Sequence, residues 1–401
     1  MSNKLIVTLI TVGIIAVGTV LAVFFAKGYT FSTKDGKIVG TGIVSVTSSP
    51  DGASVYIDGH LTTATNTTVS QLKPRNYNVK IIKEGFIPWE KNVDVVEGLV
   101  TEIKATLFPA LPTMYPLTLN GVVDAELSAD GQKLAFTVPL SGGSHTKERG
   151  GVWVWTMSSQ PLSFTRGAEP HQIIISTPSL DFSKAKLTWS PDSTQVLATL
   201  QDGEQPGDSN TRNFLLPIDR QTATSDLKDI TPTVAGTLAG WQDDVKAKEE
   251  VRFTAIKDLG VKKVASDGAV IKWSPDETKF ILGSKVYDLA TNQLTKSKPT
   301  NSQNKSANPQ NSPVTLSGNQ QYNLPEAKVY SWLPDSRHIV LVQEDKIAIA
   351  EIDGGNVAEI YAGKFNSDFV FAWPDSSKLV VLTSFATTTA STPNLFGINL
   401  K

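Results

Sequence analysis

The residues able to do chemistry in this chain are few and widely separated. Four histidines, His60, His145, His171 and His338, share no metal-ligand spacing, and no His-Glu-x-x-His pair places two imidazoles on one helical face. The chain has no cysteine. That removes thiolate ligands, thiol nucleophiles and disulfides together, and it fits either redox compartment. A serine nucleophile is suggested only at Gly142-Gly143-Ser144-His145, where the elbow motif needs Gly two residues after the Ser and Thr146 stands instead. This stretch, with Lys147 and Arg149, reads as a polar hairpin loop. No Gly-x4-Gly-Lys-Ser/Thr phosphate loop occurs. No metal, no other cofactor and no catalytic residue are expected.

The carboxylates that recur do so in one phrase. Leu187 to Leu200 reads LTWSPDSTQVLATL and Ile271 to Ser284 reads IKWSPDETKFILGS; AELSADGQKLAFTV from Ala125, YSWLPDSRHIVLVQ from Tyr330 and FAWPDSSKLVVLTS from Phe371 can be laid on them. The central acids are Asp130, Asp192, Asp276, Asp335 and Asp375, spaced 62, 84, 59 and 40. Calcium loops need alternating acids, and Asp202-Gly203-Glu204 with Asp208 is only a loose cluster. Sialidase-type boxes place Gly two after the Asp, which Asp130-Gly131-Gln132 does not. The acids are therefore read as turn residues: Pro191 and Pro275 preset φ, and the following Asp accepts from amides two residues on. Trp189, Trp273, Trp332 and Trp373 are read as one repeated packing position, in preference to an aromatic cage.

These residues need strands to hold them. Period-two alternation follows each turn, as at Phe280 and Leu282 or Ile339 and Leu341. A second strand pair then follows, such as Lys285 to Leu289 and Gln293 to Thr295, Ile347 to Ile352 and Val357 to Tyr361, with Val152 to Trp155 and Phe214 to Asp219 alike. Units of a few strands, each unable to bury its faces alone, are what propeller blades require. The phrases resemble the TolB-like, WD-like propeller repeat, whose signature is Trp-Ser-Pro-Asp-Gly before a short apolar strand. The resemblance implies a β-propeller over 117–401, with five to seven blades. Two insertions interrupt it. Residues 237–259 have early acids and no Pro and predict a helix with Leu238, Trp241, Val245, Ile256 and Leu259 partly on one side. Residues 296–323 are Ser, Asn, Gln, Pro and Lys with almost no large apolar residue, and predict a disordered loop.

Upstream, residues 42–108 are short period-two runs bounded by Gly, Pro, Asp or Asn. Pro50, Asp51, Gly52 and Ala53 suit a tight reversal between Ile43–Thr47 and Ser54–Ile57. Val55-Tyr56-Ile57-Asp58-Gly59, then Leu72, Pro74, Tyr77, Lys83, Gly85, Phe86 and Trp89 follow. The segment resembles the PEGA domain, named for a Pro-Glu-Gly-Ala turn, with Asp51 in place of the Glu and Arg75 in place of the Gly after the later Pro. The resemblance implies a small β-sandwich, a bacterial or archaeal cell-envelope setting and no catalysis.

Residues 1–4 are a short flank, and Leu5 to Ala26 form 22 residues without a charge. At 1.5 Å per residue that is about 33 Å of helix, long enough for a bilayer. The run continues past Val20 and Ala22, which could imitate a cleavage site, so an uncleaved transmembrane signal anchor is expected. Lys4 and the terminal amine precede the span while Lys27, Lys34 and Lys37 follow it, so the positive-inside count does not support a C-terminus outside. The C-terminal domains are placed outside the cytoplasm because long domains translocate largely regardless of charge. Residues 27–41 and the Pro-rich 109–116 read as linkers. With 37 basic against 39 acidic residues, and no polybasic run, nucleic acid is not an expected partner.

The sequence thus predicts a mainly β protein: a transmembrane helix, a PEGA-like sandwich and a propeller with one helical insertion. The expected function is a single-pass plasma-membrane protein of the envelope, non-catalytic, binding an envelope protein or polysaccharide through its propeller. The alternative is an extracytoplasmic propeller hydrolase acting on glycan or peptide.

Overall fold

The computed structural model describes residues 3–26, 29–32, 37–140, 150–157, 169–202, 210–257, 259, 262–263, 270–289, 320–384 and 392–401. The chain forms two compact units, Met1–Leu111 with Lys401, and Pro112–Leu400.

The first unit opens with α1, Asn3–Ala26. The apolar run is helical as expected, and Thr19 satisfies its hydroxyl on the Ile15 carbonyl one turn back. The side chains described in α1 are those of Ile10 to Val20, Ala22 and Val23, all exposed. Among the described residues no helix is long and apolar enough to cross a membrane. Leu5 to Ala26 is therefore supported as helix, and its crossing of a bilayer is not. The expected linker 27–41 contains a hairpin instead, Tyr29–Ser32 against Lys37–Gly40.

Two sheets then face each other. One has the order Thr67–Leu72, Gly42–Ser49, Val100–Thr106, the last pair parallel; the other has the order His60–Ala64, Ser54–Ile57, Arg75–Ile82, Trp89–Val95. Alternate residues Val44, Val46, Val55, Val79, Ile81 and Ile103 bury between them, as the period-two pattern demands. The turn Pro50 to Ala53 sits where it was expected, with Gly52 at φ 68°. Its fastening comes from Thr65, which is buried. The Thr65 hydroxyl meets the Ser48 hydroxyl at 2.7 Å and accepts the Ala53 amide at 3.0 Å, while the Thr65 amide donates to Ala53 O. Arg75 has a use here too: it pairs with Asp58 at 2.6 Å and lies over the Tyr77 ring.

The second unit contains five four-stranded antiparallel sheets among the described residues. Blade 1 is Ala125–Leu127, Lys133–Val138, Gly151–Thr156 and His171–Ile175; blade 2 is Lys186–Trp189, Gln195–Asp202, Asn210–Pro217 and Lys228–Asp229. Blade 3 is Ile271–Trp273, Lys279–Leu282, Lys285–Asp288 and Gln320–Asn323; blade 4 is Val329–Trp332, His338–Val342, Lys346–Glu351 and Ala358–Ala362. Blade 5 is Val370–Ala372, Lys378–Thr383 and Asn394–Asn399, completed by Met114–Pro116 from the start of the unit. Shared cores join blades 1 and 2, blades 3 and 4, and blades 5 and 1. Five blades are present among the described residues, at the low end of the five to seven expected from the sequence.

Two boundaries differ from the reading above. Met114–Pro116 is a blade strand and not linker, because its backbone completes an otherwise three-stranded sheet. Gln320–Asn323 is the outer strand of blade 3 and not loop: the ladder needs only backbone from it, and Tyr322 adds packing against the core shared with blade 4. Residues 296–319, where the rest of that loop was expected, lie outside the described residues.

Removing the Thr65 hydroxyl leaves the buried Ala53 amide without its acceptor. Thr65→Ala should cost about 1 to 3 kcal/mol, read as an earlier denaturant transition of the first unit, while Thr65→Ser should behave like the parent. Equal stability of all three proteins would show that the hydroxyl does not fasten the turn.

Candidate binding site at the repeated turns and the inserted helix

In each repeated turn the Asp Oδ1 accepts the amide two residues on: Gln132 at 2.9 Å, Thr194 at 3.1 Å, Thr278 at 3.0 Å, Arg337 at 2.9 Å and Ser377 at 2.8 Å. Where a Ser precedes Pro or Ala, at Ser128, Ser190 and Ser274, its hydroxyl donates to that same oxygen. Asp130, Asp192, Asp276, Asp335 and Asp375 are therefore turn residues. The residue after each is left-handed: Gly131, Ser193, Glu277, Ser336 and Ser376, with φ between 56° and 67°. A side chain there is disfavoured, yet two of these serines have a use. The Ser193 hydroxyl accepts the Asp130 amide at 3.3 Å, and Ser336 accepts the Asp276 amide at 3.1 Å, tying blade 2 to blade 1 and blade 4 to blade 3.

The tryptophans make a second tie. Trp189 donates its indole N–H to Glu126 O and Trp332 donates to Lys272 O, each at 2.8 Å and each into the preceding blade. Trp189 is buried, whereas Trp273 and Trp332 are half-buried. Trp373 does not share their position. Its amide bonds Lys378 O as that of Ser274 bonds Lys279 O, so Trp373 stands at the Ser position and Ala372 at the Trp position. One residue over, Trp373 packs edge-on against Trp155 of blade 1 at 5.2 Å, with the Lys378 ammonium over its ring.

Between blades 2 and 3 the ties are replaced. The helix α2 runs from Val234 to Ala255, near the expected 237–259. The indole of Trp273 donates to Glu249 Oε2 at 3.3 Å instead of to blade 2. Glu277, in the left-handed position of blade 3, accepts Arg252 at 2.9 Å, and Arg252 also holds Glu249 at 3.0 Å. Lys248 donates to Pro191 O of the blade 2 turn at 2.9 Å. Burial lowers the Arg252 pKa, but Glu277 and Glu249 outweigh it and hold the guanidinium above its ordinary range.

No residue of α2 is itself buried. The sequence reading placed Leu238, Trp241, Val245, Ile256 and Leu259 partly on one side of the helix. Only Ile256, just past the helix, enters the blade 3 core, alongside Phe253. The docking is done by Lys248, Glu249 and Arg252, because the turns offer a carbonyl and a carboxylate and not an apolar surface. Val245, Trp241 and Leu238 continue the same helical face one, two and three turns earlier. Leu238 and Val245 stand 42% and 48% exposed, and Trp241 is half-buried. A groove of about 520 Å³ lies along this face, lined by Val245, Lys248, Ala129, Asp130, Pro191 and Glu277 among others. It brings together the turns of blades 1, 2 and 3. Its apolar and mixed-charge lining suits binding.

The histidines are scattered. His60 contacts Asp58 O in a hairpin, His171 contacts Ile218 O, and His338 contacts Asp335 at 2.6 Å; His145, with the Ser144 stretch, lies outside the described residues. Of the loose acidic cluster only Asp202 is described, at a strand end. Among the described residues no three His, Asp or Glu converge to hold a metal. The groove was missed in the sequence because its members come from four separated segments. The legible signal was the length of the insertion between the second and third phrases.

Residues 41–110 match the PEGA domain family. No curated protein matches the chain by sequence. Among solved structures, TolB from Acinetobacter baumannii is similar at 12% identity over 81% of this chain and 62% of its own, with a TM-score of 0.22. The chain therefore spans less than two thirds of that TolB. Oligogalacturonate lyase from Vibrio parahaemolyticus is similar at 10% identity over 81% of this chain and 83% of its own, with a TM-score of 0.26. At these scores neither likeness carries an argument about activity.

If the indoles are packing groups, Trp189→Ala should cost roughly 3 to 5 kcal/mol. Asp276→Ala, which removes a cap, should cost about 0.5 to 2 kcal/mol by analogy with helix caps. Denaturant melts with and without calcium check the order, and a calcium-dependent loss in Asp276→Ala would mark an ion site instead.

The turns also set an acid limit. Burial raises the Asp335 carboxyl, but the hydrogen bond and charge of His338, with the amides of Arg337 and His338, hold it below the ordinary range. The Ser190 hydroxyl is the main cause of the same lowering at Asp192. A depressed carboxyl contributes stability above its unfolded value, about 3.9, and loses it as pH falls through the folded value. The melting temperature should therefore hold from pH 7 to 5 and fall below about pH 4, less steeply in Asp335→Asn. An identical acid profile for that variant would remove the turn from the cause. Residues 41–110 thus form a PEGA-like domain by their match, and the C-terminal unit is built of four-stranded antiparallel blades, five of them among the described residues.

Proposed function

We propose that this chain is a non-catalytic protein of the cell envelope, held in the plasma membrane by an uncleaved helix over Leu5 to Ala26, with the PEGA domain and propeller outside the cytoplasm. Its role is to bind another envelope component along α2. The observation that carries this reading is a 22-residue helix with no buried residue, fixed to blade turns by ion pairs and hydrogen bonds, whose docked face continues into exposed Leu238 and Val245. A rigid, partly apolar ridge beside a groove is how recognition surfaces are built. The apolar stripe favours a protein over a polysaccharide.

Support for the anchor is the uncharged run of 22 residues, helical throughout, at the length a bilayer needs. The alternative, a propeller hydrolase acting on glycan or peptide, would build on the Asp335–His338 pair. His338 is only 3% exposed, which gives a substrate poor access.

Carbonate-washed membranes should retain the protein, and protease added outside the membrane should digest its C-terminal units; recovery of a soluble form beginning near Val23 would refute the anchor. The parent should capture a partner from envelope extract that Val245→Asp loses, with an unchanged melting temperature. Capture undiminished in Val245→Asp would move the site away from α2, and turnover of glycan or peptide by the parent would favour the hydrolase.

A further inference from the structure

The seam between blades 3 and 4 carries a second, smaller cleft of about 280 Å³, lined by Lys272, Lys328, Val270, Ile281, Val329 and Gly283 among others. Lys272 lies on the inner strand of blade 3 and sends its ammonium across to Tyr330 O of blade 4 at 2.7 Å. The Trp332 indole returns a bond to the Lys272 carbonyl, so the lysine stem is held at a tied seam. Lys272 is half-buried, and among the described residues no carboxylate pairs with it. Burial alone pushes its pKa down. Lys328, across the cleft, donates to Ser367 and sits 3.8 Å from Asp368, in a pair largely open to water.

A partly desolvated ammonium with three donors and one neutral acceptor lacks counter-charge and hydrogen-bond partners. A ligand carboxylate would supply both. Val270, Val329 and Ile281 provide an apolar wall beside the two cations, and among the described residues no acid lines the cleft. The volume falls just below the range of drug-sized pockets, which suits a small occupant. Gly283 borders the cleft in left-handed backbone, and a Cβ there would meet nothing within 4 Å.

We propose that this cleft binds a small carboxylate with a short aliphatic body, its carboxylate between Lys272 and Lys328 and its aliphatic part on the valine wall. The group could be carried by a free short-chain acid or by the C-terminus of a polypeptide; the recognising chemistry is the same.

Calorimetric titration of the full chain in detergent tests this with butyrate, N-acetyl-leucine and butyramide. Butyrate or N-acetyl-leucine should bind, the tighter of the two identifying the source of the carboxylate, and butyramide should bind at least tenfold more weakly. Lys272→Met keeps the stem and should lose at least tenfold in affinity; Lys328→Ala should lose a few-fold. Gly283→Asn, which left-handed backbone tolerates, leaves both lysines in place and should block the cleft. No binding by the parent, equal binding of butyramide, or parent-like affinity in both Lys272→Met and Gly283→Asn would overturn the proposal.

Discussion

The propeller depends on one short backbone pairing, that of Met114–Pro116 with the C-terminal strand. Met114 sits opposite Ile398, Tyr115 opposite Gly397 and Pro116 opposite Phe396. The clasp extends on both sides: Asn399 N reaches Thr113 O, Leu117 N reaches Leu395 O, and the Asn394 side chain accepts from Gly121 N and Thr118 Oγ1. Gly397 permits a close approach, since a Cβ there would meet the Tyr115 ring at 3.0 Å and the ring would have to give way. Without this strand blade 5 would have three strands where the other blades have four. Closure also joins the two ends of the unit, separated by more than 270 residues in Gly121 and Asn394, so its contacts are strongly non-local.

Within the ring, cohesion comes from small repeated ties and not from core alone. An indole N–H and a serine hydroxyl cross from blade to blade at the 1–2 and 3–4 seams. The hydroxyl tie explains why Ser193 and Ser336 occupy left-handed positions where Gly would be less strained: Gly offers no acceptor to the neighbouring amide. At the 2–3 seam the same indole is satisfied by Glu249, and the left-handed position holds Glu277 for Arg252. The inserted helix thus stands in for an inter-blade contact, and the overhang of its apolar face follows from docking through charge. The carboxylates that make the turns are spent on amides and hydroxyls, which leaves recognition to the helix and the seams.

Much of the architecture was legible because it is local. The turn after each phrase needs only Asp and its own amides, and the strands around it need only alternation; the five phrases therefore correspond to five blades. The sandwich core of the first unit follows the same period-two rule, and Pro50 to Ala53 form the reversal where residue chemistry put it. The helical insertion was legible from its composition and from the 84-residue gap around it.

What the sequence by itself determined was thus the class of each segment: an uncharged helix, a β-sandwich, a repeated β-blade and an inserted helix. Tertiary structure decided what pairwise distance sets. Trp373 looks like a fourth copy of Trp189, and only the ladder register shows it shifted by one to meet Trp155. Leu238 and Val245 look like core, and only the partners offered by the turns leave them outside. Gln320–Asn323 and Met114–Pro116 carry little local strand signal, since an outer strand gains its stability from the backbone of a neighbour that folding brings to it. Local patterns report torsions and faces; partners distant in sequence exist only once the chain has closed.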